Sequence, residues 1–368
     1  MRVLVQQGRR FTARQHSTGY KLPRNASRSV HDVSHSQRRV VRAVLGTHLK
    51  RLVDSVAILY NSNPQLLFGP NKTTSLSLPS LSSNSPLLQS EVRELVNRSM
   101  KRVLPIALNE RSEGEELSIT ALVSGNLEKL SENESEGLDH ERFGNGVFDV
   151  SIYIGTYVPT VFGIEGNGAH LAVVGRGRDD ASAKYSDWVR IRKSLERLRP
   201  PNGTELLLSN DGDRILEGTV SNFFVVCRKD NDEAKGQSVH CFEVQTAPII
   251  DHVLPGIIRQ LVIEVCLSKG IPFREVAPSW SESEFWAEAF ITSSLRLLQH
   301  AETISFPSSW ESLNSKSWEE ISWKDKHFEE GPGMVTTIIQ KEVMEKAASE
   351  GWVLFDDNIM SDKISLEI

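Results

Sequence analysis

The chain has 368 residues, 39% of them hydrophobic and 24% charged, which is ordinary globular composition and enough length for two domains. No run of about eighteen apolar residues occurs, which excludes an apolar spanning helix. The formal net charge of −6 hides an asymmetry, because residues 1–51 carry +11 and the remainder −17.

The three cysteines, Cys227, Cys241 and Cys266, fit neither a disulfide framework nor a metal-ligand spacing, so a reducing compartment is the default. Residues 1–42 are rich in Arg and Ser, hold a single acid (Asp32) and show no hydrophobic period. Two readings stay open: an organellar transit segment, or a disordered start outside the fold. The first makes the protein chloroplast or mitochondrial and the second cytoplasmic; neither makes it secreted. A nucleic-acid-binding arm is disfavoured, since Phe11 and Tyr20 are too few to make a pattern of aromatic residues interleaved with the basic ones.

An amphipathic helix is expected over residues 43–60, with Val44, Leu45, His48, Leu52, Val53, Val56 and Leu59 on one face. A Ser-, Asn- and Pro-containing loop follows at 70–86, then a helix from about Ser90 to Leu104. Strands are expected at Ile119–Val123, Val147–Tyr157 and His170–Val174, giving an α+β first domain over 43–174. Gly175 to Ala183 read as a linker. Beyond it, 184–368 form the second domain, opening with a helix from Lys184 towards Gly203 and a strand at Glu205–Ser209. Leu216–Phe224 reads as one strand with a single acid, Glu217. A further strand is expected at Val239–Val244. A helix then starts after Leu254-Pro255-Gly256 and ends at Gly270, the usual Pro-first, Gly-last asymmetry. Phe285–Thr292 is a strand running into Ser293-Ser294, and Met334–Ser349 the last helix.

Three features bear on chemistry. The turn at Gly256-Ile257-Ile258 offers an anion bare N–H groups at a helix start. Ser294 could add a hydroxyl there, and Arg51 a fork-shaped positive charge. Lys184 has the setting of an imine-forming amine. Glu217, entering an apolar strand, needs a cation. Taken singly, each has a plain structural explanation: a helix start, a solvated lysine, an edge-strand acid.

Together they resemble the class IV aminotransferases, the fold-type IV pyridoxal phosphate enzymes. Glu217-Gly218-Thr219-Val220-Ser221-Asn222-Phe223-Phe224 is similar to the family's E-G-x-x-x-N-[hydrophobic]-F. Leu254-Pro255-Gly256-Ile257-Ile258-Arg259 is similar to its L-x-G-[IV]-T-R, and Phe290-Ile291-Thr292-Ser293-Ser294 to its [FL]-x-T-S-[ST]. His48-Leu49-Lys50-Arg51-Leu52-Val53-Asp54-Ser55 resembles its H-L-x-R-L-x-x-S helix. The Lys184-Tyr185-Ser186-Asp187-Trp188 stretch also looks like a plant subgroup described as D-amino-acid-aminotransferase-like.

The resemblance implies a two-domain α+β fold: a smaller N-terminal α/β domain and a larger C-terminal pseudo-barrel that binds pyridoxal 5'-phosphate. It implies Lys184 as Schiff-base lysine and proton shuttle, Glu217 as partner of the pyridine nitrogen, and Arg51 on the phosphate. The Ile257 and Ile258 N–H groups at Gly256 and the Ser294 hydroxyl would complete the phosphate cup. Leu254 would pack on the ring, with Ser221 and Asn222 carried over from the same motif as cofactor-binding. The implied reaction moves an amino group between an amino acid and a 2-oxo acid, in two half-reactions with ping-pong kinetics. A homodimer is implied, with no nucleic-acid or membrane partner and no metal. A lyase of the aminodeoxychorismate type and a catalytically impaired relative remain open, because scaffold does not choose chemistry. The family's Thr in G-[IV]-T-R is Ile258 here, and the tyrosine a few residues past the lysine has no match.

Overall fold

The structure, a computed structural model, describes residues 2–5, 45–69, 85–130, 146–164, 166–229, 239–311, 313–328 and 331–349. The chain divides into two compact units, with the main boundary between Tyr157 and Val158. Among the described residues no helix is long and apolar enough to cross a membrane.

The N-terminal unit holds strand β1 (Arg2–Val5), helices α1 (Leu45–Ser62), α2 (Gln65–Phe68) and α3 (Pro86–Glu110), and strands β2 (Glu116–Gly125) and β3 (Phe148–Tyr157). Its sheet runs in the order β1-β2-β3. Of residues 1–42, only those of β1 are described; the transit-like segment otherwise lies outside the described residues. Strands β2 and β3 pair antiparallel without a break, from Glu116↔Tyr157 to Gly125↔Phe148. The core is the apolar face of α1 (Leu52, Val56, Leu59) and the i, i+4 row Leu88, Val92, Val96, Met100 of α3, all buried. Ser85 caps α3 by accepting the Leu88 N–H, and Pro86 occupies its first turn, where a missing N–H costs nothing. The helix continues past its expected end through Pro105.

The C-terminal unit is a strand ring. Its strands are β4 (Ala169–Val173), β5 (Glu205–Ser209), β6 (Ile215–Gly218), β7 (Asn222–Arg228), β8 (Phe242–Thr246), β9 (Phe273–Glu275), β10 (Trp286–Ser293), β11 (Leu297–Pro307) and β12 (Trp323–His327). The order β10-β11-β4-β5-β6-β7 closes on itself, because β10 also pairs with β7. Strands β8 and β9 extend from β7, and β12 from β11. This is the expected α+β architecture with a pseudo-barrel. Closure gives each strand of the ring a partner on both sides and leaves β9 and β12 as the outer strands. Phe223, Val225, Ile291, Leu171, Leu207 and Ile304 fill one core cluster, with Trp280 and Trp310 packed against it.

Four sequence expectations change here. Strand β4, read as the end of the first domain, sits inside the ring between β5 and β11, parallel to both. Its two apolar faces are both covered, which is what a parallel strand requires. Leu216–Phe224 is not one strand but two, β6 and β7, folded back so that Glu217 pairs with Asn222. The helix expected from Lys184 to Gly203 is the short α4 (Asp187–Ile191) followed by 3-10 turns at Arg192–Ser194 and Glu196–Leu198. Val189 and Ile191, two of its apolar residues, are exposed, so no continuous buried stripe holds a longer helix. Val239–Cys241 is likewise a 3-10 turn leading into β8. The last two helices are α5 (Ile257–Lys269) and α6 (Met334–Ser349).

Candidate active site

One row of residues crosses the ring: Leu208 of β5, Glu217 of β6, Asn222 of β7, Thr292 of β10 and Leu298 of β11 are successive register partners. Directly opposed residues in antiparallel strands share a face. The row therefore puts the acid, the amide and Thr292 on one side of the sheet, with Ser293 on the other face and Ser294 in the turn beyond. The sequence alone could not do this, because it took Glu217 and Asn222 for members of a single strand.

Glu217 is buried, with a side-chain exposure of 2%. Its Oε1 accepts from Arg178 Nε at 2.9 Å and Arg178 Nη2 at 2.6 Å, and its Oε2 accepts from the Leu254 N–H at 2.9 Å. Burial pushes the carboxyl above its ordinary pKa, and the charge of Arg178, the Leu254 N–H and the charge of Lys184 pull it back. Lys184 is thus close enough to act on Glu217 electrostatically, as the smallest of these effects. Lys184 itself is half-buried, between the buried Ala183 and Tyr185.

Arg178 overturns the reading of 175–183 as a linker. Arg178, Ala181 and Ala183 are buried, and the Gly177 N–H donates to Asn210 Oδ1 at 3.0 Å. The guanidinium of Arg178 stands 5.4 Å from the ring centroid of Trp188, whose Nε1 donates to the Thr219 carbonyl at 2.7 Å. Gly-Arg-Gly-Arg-Asp-Asp carries no pattern that distinguishes a packed loop from a solvated one, so Arg178 had no sequence signal.

Asn222 pins the other end of the site. Its Nδ2 donates to the Leu254 carbonyl at 2.9 Å, so both backbone polar groups of Leu254 are held, one by Glu217 and one by Asn222. The Asn222 side-chain oxygen lies against Gly256, where a Cβ would overlap it. Gly256 is the N-cap of the 13-residue helix α5 and supplies no side-chain cap. The first-turn N–H groups of Ile257 and Ile258 therefore keep the partner-seeking character of any helix start, with the positive end of the dipole behind them. Arg259, fully buried, secures this turn by donating to the Ala247 carbonyl at 2.9 Å and pairing with Glu275.

Ser294 is half-buried in the three-residue turn joining β10 to β11, closed by Ser293↔Leu297. Leu297 takes φ 56°, a left-handed conformation that a branched side chain adopts at a cost. The turn is held by Arg296, which pairs with Glu205. Glu205 is another buried acid of the unit: its Oε1 accepts from the Val220 N–H at 2.8 Å, the Ser221 N–H at 3.0 Å and the Ser221 hydroxyl at 2.8 Å. Ser221, carried over as cofactor-binding, is thus committed to Glu205 and holds the β6–β7 turn. Glu205 carries the same sequence signal as Glu217, an acid in an apolar strand.

Arg51 lies on α1 in the N-terminal unit, buried, with Nη2 3.4 Å from His48 Nδ1, and the Ser55 hydroxyl bonds its carbonyl at 2.8 Å. The i, i+3 and i, i+4 spacing of His48, Arg51 and Ser55 places the three on one helix face. Among the described residues no His, Cys, Asp and Glu cluster could hold a metal.

Residues 176–304 match the family model for amino-transferase class IV. No curated protein matches the chain. Among solved structures, the fold IV-transaminase CpuTA1 from Curtobacterium pusillum is 17% identical, covers 83% of this chain and 80% of its own, and has a TM-score of 0.49. A hypothetical aminotransferase from Mycobacterium tuberculosis in a PLP-bound form is 14% identical, over 84% of this chain and 85% of its own, with a TM-score of 0.47. A structure assigned as a branched-chain amino acid aminotransferase from Thermotoga maritima is 19% identical over 57% of this chain and 65% of its own, with a TM-score of 0.39.

Proposed function

We propose that this chain, which carries a class IV aminotransferase domain over residues 176–304, is a pyridoxal 5'-phosphate-dependent transaminase acting on an amino acid and a 2-oxo acid. The observation that carries the reading is the pairing of a buried carboxylate with a bare helix start. Glu217 and the N-terminus of α5 are tied together through Leu254, and Lys184 lies within electrostatic reach of Glu217.

The donor set fits the cofactor. An ionised carboxylate has about four acceptor positions, and among the described residues Glu217 uses three, which leaves one on Oε2 for a protonated ring nitrogen. The Ile257 and Ile258 N–H groups, with the Ser294 hydroxyl, suit a phosphate. When bound, the cofactor supplies an electron sink for the electrons left at the substrate α-carbon. The chain's residues do the rest. Lys184 provides the amine that holds the cofactor and then carries the α-proton. Glu217 keeps the ring nitrogen charged, which is what makes the sink effective. Asn222 and Arg259 hold the helix start rigid, so that the anion site is preorganised.

Borohydride reduction of the protein saturated with pyridoxal 5'-phosphate, followed by peptide mass mapping, tests the assignment. The cofactor should be fixed to Lys184. Label on another lysine, or none, overturns it. Glu217→Gln should retain the cofactor and slow α-proton exchange of the donor amino acid in deuterium oxide by about a hundredfold or more, in the range typical of acid–base and electrostatic contributions.

A further inference from the structure

The buried partner of Glu217 has an asymmetry that a purely structural ion pair does not need. An arginine facing a carboxylate commonly forms two parallel bonds, one to each oxygen. Here both donors, Nε and Nη2, go to the same oxygen, Oε1, at 2.9 and 2.6 Å. That oxygen is saturated. Among the described residues Oε2 accepts only the Leu254 N–H and keeps a lone pair. A fork-to-fork pair would have closed the carboxylate to any further partner; this one leaves it open on one side.

Charge also requires Arg178. The side chains of Arg178 and Glu217 are 6% and 2% exposed, so solvent does little to keep the acid ionised. A buried acid without a cation takes up a proton. A neutral Glu217 could bond an unprotonated ring nitrogen equally well, and the electron sink would then be weak. Arginine stays charged under all working conditions. Trp188 holds it in place, through the face of its ring and through the Nε1 bond to Thr219 at the β6–β7 turn.

We propose that Arg178 is a positioning residue for the reaction: it fixes Glu217 as an anion with Oε2 available, and through Glu217 it sets the protonation of the cofactor's ring nitrogen. The inference rests on the reading of Glu217 as the ring-nitrogen partner, and the two fail differently.

The test loads the full-length protein with pyridoxal 5'-phosphate carrying nitrogen-15 in the ring and reads its NMR shift. Wild type should show the pyridinium position. Glu217→Gln should show the unprotonated pyridine position and serves as the reference. Arg178→Met should move the resonance from the first position to the second, with Glu217 still in place. Where Arg178→Met does not fold, Arg178→Gln, which keeps a donor to Oε1 and removes the charge, should move it the same way. In either variant kcat should fall about tenfold or more while KM changes less than about twofold, the pattern of a lost transition-state interaction. An Arg178 variant that keeps the wild-type pyridinium position overturns the proposal and leaves the Glu217 reading standing. A Glu217→Gln protein that also keeps the pyridinium position, or a wild type that takes up no cofactor, overturns both.

Discussion

Replacing Gly256 with alanine should destabilise the C-terminal unit by about 2–6 kcal/mol, for a reason that is steric and local. The backbone at Gly256 has φ −69° and ψ 140°, which any L residue adopts, so no conformational strain enters. The cost comes from the new methyl, which would overlap the Asn222 side-chain oxygen and stand 3.5 Å from Arg259 Cβ. Forcing an extra methyl into a packed site costs about 1–3 kcal/mol. Asn222 can give way only by swinging its amide off the Leu254 carbonyl, a 2.9 Å bond. A buried amide left without its partner adds about 1–3 kcal/mol. The Leu254 carbonyl itself keeps the Gly256 N–H at 2.7 Å, so its own loss does not add. Urea unfolding measures the change, and a double-mutant cycle isolates its cause. In an Asn222→Gly background the oxygen is gone, and Gly256→Ala should cost nothing or stabilise by about 0.4–1 kcal/mol through the unfolded chain. Equal costs in the two backgrounds, or a single variant within about 0.5 kcal/mol of wild type, would refute the reasoning.

Glu205→Ala strands the Val220 and Ser221 N–H groups and the Arg296 charge together. It should cost about 3–5 kcal/mol in the same unfolding assay, and a loss under about 1 kcal/mol would show that Glu205 is not the hub of these turns. Arg296 shares its turn with Ser294 and anchors it to Glu205, so Arg296→Met should weaken pyridoxal 5'-phosphate binding more than binding of phosphate-free pyridoxal. Equal weakening by equilibrium dialysis would remove that turn from the phosphate site. In the N-terminal unit, burial pushes the Glu91 carboxyl up to about 7, although its Oε1 accepts the Gly146 N–H at 2.7 Å. A carboxyl whose pKa is raised on folding favours the fold below its ordinary value of 4.5, and that contribution is lost as pH rises through about 7. Glu91→Gln should therefore gain on wild type between those two pH values in thermal melts. A difference that stays flat with pH would contradict the burial argument.

What was legible in the sequence was local and periodic. The i, i+4 rows of α1 and α3, the Pro-Gly start and Gly270 stop of α5, and the acid at Glu217 each announce themselves within a few residues, because helix geometry, capping and the cost of burying charge act over that range. Lys184, Glu217, Gly256 and Ser294 could be picked out together only through the motifs that resemble the class IV aminotransferases.

The partnerships among them were not legible. Splitting Leu216–Phe224 into β6 and β7 depends on a three-residue turn whose Val220 and Ser221 N–H groups are paid for by Glu205, 15 and 16 residues away. Arg178 read as linker because burial is a property of what packs around a residue, and Trp188 and Glu217 reach it only after the ring closes. The sequence by itself determined that an acid, a lysine and a bare helix start would be present. Only the tertiary structure decided that the acid meets an arginine on one oxygen and keeps the other open, because register and closure, which set that geometry, are fixed by contacts between strands far apart along the chain.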